Sequence, residues 1–252
     1  MIYVTVPGDT VSSISRQSGV PVWKIIYDNQ LGEEGELTVG QALLLLKPQE
    51  SAEIREDLYV TGYAYPFIEP YVLEMAFPAL NELLVFSYGF TFEGELVPPI
   101  QDETWMIQLA WENGIEPMLV LTPFTQGVFN NQLIQTLVEE ESVRENVITN
   151  LLKVVEEKGY VGVDVDFEYV RAQNREGYAE FVGELRAAMN EKGYRVSVAL
   201  APKTSSDQKG LLYEGIDYAL LGEQADRLFL MTYEWGYSYG PPMAVAQIGR
   251  AH

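Results

Sequence analysis

Residues 159–170 read Gly-Tyr-Val-Gly-Val-Asp-Val-Asp-Phe-Glu-Tyr-Val. In a β-strand successive side chains point to opposite faces. Asp164, Asp166 and Glu168 therefore share one face, at steps of roughly 7 Å, while Val163, Val165, Phe167 and Tyr169 share the other. Few folds accommodate such a strand. On a sheet edge the acids would form a solvated face. In mid-domain, among parallel strands, the apolar face packs on helices and the acids turn inward. Three buried carboxylates cost several kcal/mol unless they share protons and hydrogen bonds, and their mutual repulsion raises at least one pKa. Perturbed carboxylates at the C-terminal end of a barrel strand suit a catalytic site. A single Mg²⁺ or Ca²⁺ is excluded, because linear spacing along one strand spreads the acids too far for one ion.

The flanking sequence supplies the parallel strands. Short apolar runs at 58–64, 83–88, 117–121, 161–169, 195–201 and 227–233 are predicted strands. Helical stretches lie between them at about 69–80, 102–113, 140–158, 175–192 and 215–224. The clearest helix is 142–158: Val143, Val147, Leu151, Val154 and Val155 keep helical spacing, Ser142 is a candidate cap, and Gly159 follows the end. Strands alternating with helices imply βα units. With no glycine-rich phosphate loop among them, they fit an α/β fold of the TIM-type (β/α)8 barrel class. The count stops at six units, and the last residues, Met243 to His252, form neither a seventh nor an eighth. The barrel is expected to be incomplete in this chain.

Composition narrows the chemistry. There is no Cys, and the single His is the last residue, His252. Disulfides, thiolate metal sites, Cys nucleophiles and ordinary imidazole catalysis are thereby excluded or nearly so. Proton transfer must fall to carboxylates and tyrosines, with no cofactor and no metal. The formal charge of −21 repels nucleic acid and anionic membrane surfaces. No apolar run is long enough to span a bilayer, and no signal peptide is visible at the N-terminus. Neutral partners such as sugars fit this balance.

Residues 1–48 have a different texture. A strand-like run from Ile2 to Val6 leads into Pro7-Gly8-Asp9-Thr10, a turn with a helix cap. Val11 and Ile14 give the first helix its apolar face and Gly19 ends it. Pro21 starts a second helix, with Val22, Ile25 and Ile26 on its apolar face, and a strand follows at 42–46. This strand–helix–helix–strand order, with Tyr3, Pro7-Gly8-Asp9-Thr10, Asn29 and Val39-Gly40-Gln41, resembles a LysM module, a small binder of N-acetylglucosamine-containing glycans. The resemblance implies Gly8, Asp9, Thr10 and Asn29 as glycan-binding residues. The polar stretch 49–57 reads as a linker, and 58–252 as the barrel, truncated.

The acid row carries a second resemblance. Gly162, Asp164, Asp166 and Glu168 match the Asp-Gly-x-Asp-x-Asp-x-Glu signature of glycoside hydrolase family 18, the chitinase-like enzymes, with Val161 in place of the first Asp. Met231-Thr-Tyr233-Glu234 is similar to that family's Met-x-Tyr-Asp pattern. The run to Met243, together with 58–63 and Ala201-Pro-Lys-Thr204, resembles the LysM-bearing branch of spore-cortex-lytic N-acetylglucosaminidases and germination glycosidases. The resemblance implies a retaining, substrate-assisted glycosidase. In it Glu168 is general acid and base, Asp166 orients the substrate's acetamide, Asp164 shares a hydrogen bond with Asp166, and Tyr233 binds the acetamide oxygen. Tyr63, Phe90, Trp235 and Tyr237, at or just past strand ends, are candidate sugar platforms, with Met231 and Glu234 beside them; Trp105 and Trp111 sit on a helix and read as packing. Peptidoglycan or a chitin-type oligosaccharide is the implied partner, and spore cortex, coat or cell wall the implied location. The alternative is a non-catalytic glycan-binding or structural wall protein, inactive through truncation.

Overall fold

The computed structural model describes residues 1–29, 31, 35–47, 58–125 and 128–233. The chain divides into two compact units, one of residues 57–231 and one built on residues 1–56.

The N-terminal unit begins with β1 (Ile2–Val4), α1 (Val11–Ser18), α2 (Val22–Asp28) and β2 (Ala42–Leu44), with β1 and β2 antiparallel. Thr10 caps α1 through a reciprocal capping box with Ser13, and Gly19 closes the helix in the left-handed region at φ 74°. Val11, Ile14, Val20, Ile25, Leu43 and Leu45 form its core. Asn29 fastens α2 to β2: its side-chain amide donates to the Ile25 and Leu44 carbonyls and its Oδ1 accepts from the Leu44 amide.

The larger unit continues with β3 (Thr61–Ala64), α3 (Pro70–Ala76), β4 (Glu82–Phe90), β5 (Leu96–Val97), α4 (Thr104–Glu112), β6 (Glu116–Leu121), β7 (Phe124–Thr125), β8 (Val128–Phe129), α5 (Asn131–Glu139), α6 (Glu141–Lys158), β9 (Gly162–Val165), α7 (Arg175–Glu191), β10 (Arg195–Leu200), α8 (Tyr218–Gln224) and β11 (Arg227–Leu230). β3, β4, β6, β9, β10 and β11 form one parallel sheet in which each strand pairs with its neighbour in the sequence. That is the order of a singly wound barrel. The sheet is curled: the Tyr63 ring on its first strand lies 5.4 Å from the Phe229 ring on its last. Helices cover the outer side, where Val147, Leu151 and Val155 of α6 and Tyr178, Phe181, Val182, Leu185 and Met189 of α7 are buried against the strands. Three parts of the sequence reading change. Helix α6 starts at Glu141 with Glu140 at the cap position, so Ser142 lies inside the first turn. α5 lies where no helix was expected, its start fixed by the Asn130 side chain accepting from the Gln132 amide. β9 ends at Val165, short of Tyr169: on the β6 side the ladder closes with the Asp166 amide donating to the carbonyl of Leu121, the last residue of β6.

Four strands start with a charge, and these charges meet inside the curl. Glu82, 2% exposed, accepts from Arg195, Arg227, Tyr59 and Thr61; Glu116 accepts from Arg195 and Tyr59. The Arg227 guanidinium also covers the Tyr59 ring at 4.4 Å. Removing one member strands the others in a partly desolvated space. Arg195 and Arg227 are 32% and 41% exposed along their side chains, and solvent screening trims the loss. Glu82→Ala is expected to lower the unfolding free energy by about 2–3 kcal/mol, read as a lower denaturation midpoint at unchanged slope; an unmoved midpoint would show the cluster contributes nothing.

Candidate active site

The acid row grows out of β9. Gly162 opens that strand because a Cβ there would collide with the Arg195 carbonyl of β10. Asp164 follows on the inner face, in register with Ser197 of β10 and Val120 of β6. It is fully buried and doubly held: the Tyr63 hydroxyl donates to Oδ2 at 2.7 Å and the Ser197 hydroxyl donates to Oδ1. Burial pushes its carboxyl up to about 6; the Ser197 and Tyr63 hydrogen bonds pull against that, and Glu82 adds to it.

Asp166, 6% exposed, sits beyond the last ladder pair, its amide donating to the Leu121 carbonyl. Its Oδ1 is buried with no hydrogen-bond partner among the described residues. Burial, then Asp164, then Glu168 push its carboxyl up to about 7. Buried polar atoms are nearly always paired, so an unpaired carboxylate oxygen marks an acceptor whose donor comes from elsewhere. Glu168 is half-buried, nearer the solvent. The row thus runs from a saturated buried acid, through a buried acid with one open oxygen, to an accessible one.

The backbone carrying this row is fixed from behind. Phe167 points outward between Asp166 and Glu168, 2% exposed, with its ring stacked on Phe90 at 5.8 Å, Tyr178 at 5.4 Å and Phe181 at 5.9 Å. Tyr169, directly after Glu168, has φ 58° and is the sole non-glycine residue with positive φ among those described. That conformation costs of order 1 kcal/mol, and such strain clusters where a side chain must be aimed.

The proposed sugar platforms fare unequally. Tyr63 reaches the row through its hydroxyl. Phe90 is corrected: it is wholly buried in the Phe167 stack and packs between sheet and helices. Met231 is half-buried and its amide donates to the Leu200 carbonyl; Tyr233, two residues on, is also half-buried. Glu234, Trp235 and Tyr237 lie outside the described residues. Sequence reasoning missed Ser197 and the Phe167 stack. Ser197 was findable, two residues after Arg195 and on the same inward face of β10.

In the N-terminal unit a groove of about 290 Å³ is lined by Asp9, Thr10, Val11, Ser12, Val22, Ile26, Gly35, Glu36 and Leu37. Asp9 and Thr10 therefore face the groove. Asp9 is held by the Tyr3 hydroxyl and the Val6 amide. Gly8, at φ 90°, shapes the turn, and Asn29 is engaged in fastening α2 to β2; neither lines the groove.

Comparison with known proteins places these features. Residues 3–45 match the LysM domain model and residues 127–245 the model for glycosyl hydrolases family 18. The cortical fragment-lytic enzyme of Bacillus subtilis strain 168 is 38% identical over 175 residues, which is 69% of this chain and 40% of that protein. The putative sporulation-specific glycosylase YdhD of the same organism is 26% identical over 98% of this chain and 58% of its own length. The crystal structure of the Bacillus cereus spore cortex-lytic enzyme SleL superposes with a TM-score of 0.71 at 31% identity, covering 98% of this chain and 57% of that one. The chain spans about two fifths to three fifths of the length of these relatives.

Proposed function

Since the chain carries a LysM domain and a glycoside hydrolase family 18 domain, we infer that it hydrolyses N-acetylglucosamine-containing glycans of the cell wall, with spore-cortex peptidoglycan as the substrate. The observation that carries this reading is the graded row itself: Asp164 saturated, Asp166 with one open buried oxygen, Glu168 accessible.

Each acid takes the role its surroundings suit. Glu168 gives its proton to the glycosidic oxygen as the bond to the anomeric carbon breaks. The substrate's own 2-acetamido carbonyl oxygen attacks that carbon and closes an oxazolinium ring. Asp166 Oδ1 accepts the acetamide N–H, which orients the nucleophile and offsets the positive charge that develops on it. Glu168, now a carboxylate, takes a proton from water as the water opens the ring, and configuration is retained. Asp164, anchored by Tyr63 and Ser197, keeps the carboxylate of Asp166 in place. Tyr233 is assigned to the acetamide oxygen. No step needs a thiol, an imidazole or a metal.

The relatives are named for cortical fragments and spore cortex, and a LysM domain beside the hydrolase domain suits an enzyme working on an insoluble wall. Incubating the purified chain with cortex fragments and with N-acetylglucosamine oligomers, and weighing the products by mass spectrometry, tests the reading. Release of fragments with a new N-acetylglucosamine reducing end is expected from cortex; an unchanged mass profile from both substrates would sink it.

A further inference from the structure

Residues 201–217, between β10 and α8, hold no helix or strand. A connection of that length without structure of its own is uncommon in a compact domain and is usually functional. β9 and β10 run parallel, so this loop leaves the sheet at the same end as the acid row. One cation organises it. Lys203 Nζ donates to the carbonyls of Ser206, Tyr213 and Ile216 at 3.2, 3.1 and 2.8 Å. An ammonium has three donors, and here they are spent on the backbone of its own loop. The Lys203 amide donates to the Tyr218 hydroxyl, which donates in turn to the Ala201 carbonyl. The end of β10, the body of the loop and the start of α8 are thus fastened at Lys203, by charge-assisted bonds that are stronger than neutral ones.

The other side of the loop bears on the acid row. Gly215 lies between two of the carbonyls that Lys203 holds. It sits so close to the segment after Glu168 that a Cβ there would fall 2.0 Å from the Val170 carbonyl oxygen and 2.8 Å from that of Arg171. Ile216 and Val170 are both buried in the core. Tyr169, between Glu168 and Val170, is the left-handed residue at φ 58°. A strained conformation of this kind persists only where its surroundings over-determine it. The Phe167 stack fixes the chain before Glu168; the Gly215 contact restrains it after.

We propose that Lys203 is a positioning residue of the hydrolase. Through the Tyr213 and Ile216 carbonyls it holds Gly215 against Val170 and Arg171, keeps Tyr169 in its left-handed conformation, and so aims the Glu168 carboxyl. This rests on Glu168 as the general acid, and the test separates the two. Initial rates on soluble cortex fragments give kcat and KM for the full chain and its variants, and the Tyr169 and Val170 amide resonances are followed in each. Lys203→Met keeps the length and drops the charge. It is expected to move both amides and to lower kcat about 10²-fold, the scale of a small misplacement of a reacting group, with KM within about twofold of the parent value. Lys203→Cys introduces the sole thiol of the chain, and alkylation with 2-bromoethylamine rebuilds an ammonium of nearly the same reach; most of the lost kcat is expected to return. Gly215→Ala pushes on the Val170 carbonyl with Lys203 intact and is expected to lower kcat likewise. A parent-like kcat in Lys203→Met or in Gly215→Ala, a loss carried by KM, or a fully alkylated cysteine variant that stays slow overturns the proposal. A parent chain that hydrolyses nothing overturns the general-acid reading instead. The amides then decide the coupling, which falls if they do not respond to Lys203→Met.

Discussion

Replacing Glu168 by glutamine is expected to cut glycan hydrolysis by roughly 10³-fold, within the range that a positioned general acid supplies, while glycan binding changes by no more than a small factor. Glutamine keeps the length, the planar end and most of the packing of the side chain, but it has no proton to deliver to the leaving oxygen. The Phe167 stack and the left-handed Tyr169 hold the backbone on either side, so the substitution leaves the row's geometry in place. Hydrolysis would be followed by reducing-end release and binding by calorimetry on the same oligomer. Full activity in the glutamine variant would remove Glu168 from the chemistry. A second substrate distinguishes the nucleophile. An oligomer whose 2-acetamido groups are replaced by free amines should resist the parent enzyme, because the attacking carbonyl oxygen is gone. Cleavage of that oligomer at a comparable rate would show that a protein carboxylate or a water attacks instead, whatever the fate of Glu168.

The legible and illegible parts of this molecule divide by how local their causes are. Val147, Leu151 and Val155 recur at helical spacing, and the buried face of α6 follows directly from that. The alternation of Val163, Val165 and Phe167 with the acids likewise announced which side of β9 packs on helices. The end of β9 was not legible, because the alternation of its residues runs on unbroken to Tyr169. Phe90 looked available because it ends a strand; its burial comes from Phe167, which lies 77 positions later in the sequence. The cluster of Glu82, Glu116, Arg195 and Arg227 was equally hidden. Its pairs lie up to 145 residues apart, and only the curling of the sheet brings the strand starts together. The residue types of the candidate site were therefore readable, whereas the partners that set their charge, Ser197 and Tyr63 on Asp164, needed the fold.

Burial of the two acids, which the Ser197 and Tyr63 hydrogen bonds to Asp164 only partly offset, leads to a stability that falls as pH rises. Asp164 and Asp166 have folded-state pKa values raised to about 6 and about 7, against about 3.9 for an Asp in the unfolded chain. Below pH 4 both carboxyls are protonated in either state and cost nothing. Between pH 4 and pH 7 the unfolded chain releases these protons while the folded chain retains them. The folded state then binds more protons, and the unfolding free energy decreases with pH until the folded pair has also ionised. At pH 8 the fold carries buried negative charge that the unfolded chain would solvate. Asp166→Asn removes one of those charges at nearly the same volume, and its amide can donate toward the neighbouring carboxylate. The variant is expected to be more stable than its parent at pH 8, by an amount of order a few kcal/mol at about 1.4 kcal/mol per pKa unit, or roughly 5–10 °C in melting temperature. That advantage should shrink as pH falls and vanish near pH 4. Because the two acids titrate as a coupled pair, the midpoint of the change belongs to the pair. Melting curves of parent and variant between pH 4 and pH 8 give the difference directly, free of the pH dependence that the other acidic residues impose on both. The same variant should lose hydrolysis, since asparagine carries no charge to offset the oxazolinium. A variant less stable than its parent at pH 8 would mean that Asp166 is satisfied in the folded state, and the open oxygen on which the proposed chemistry rests would be lost with it.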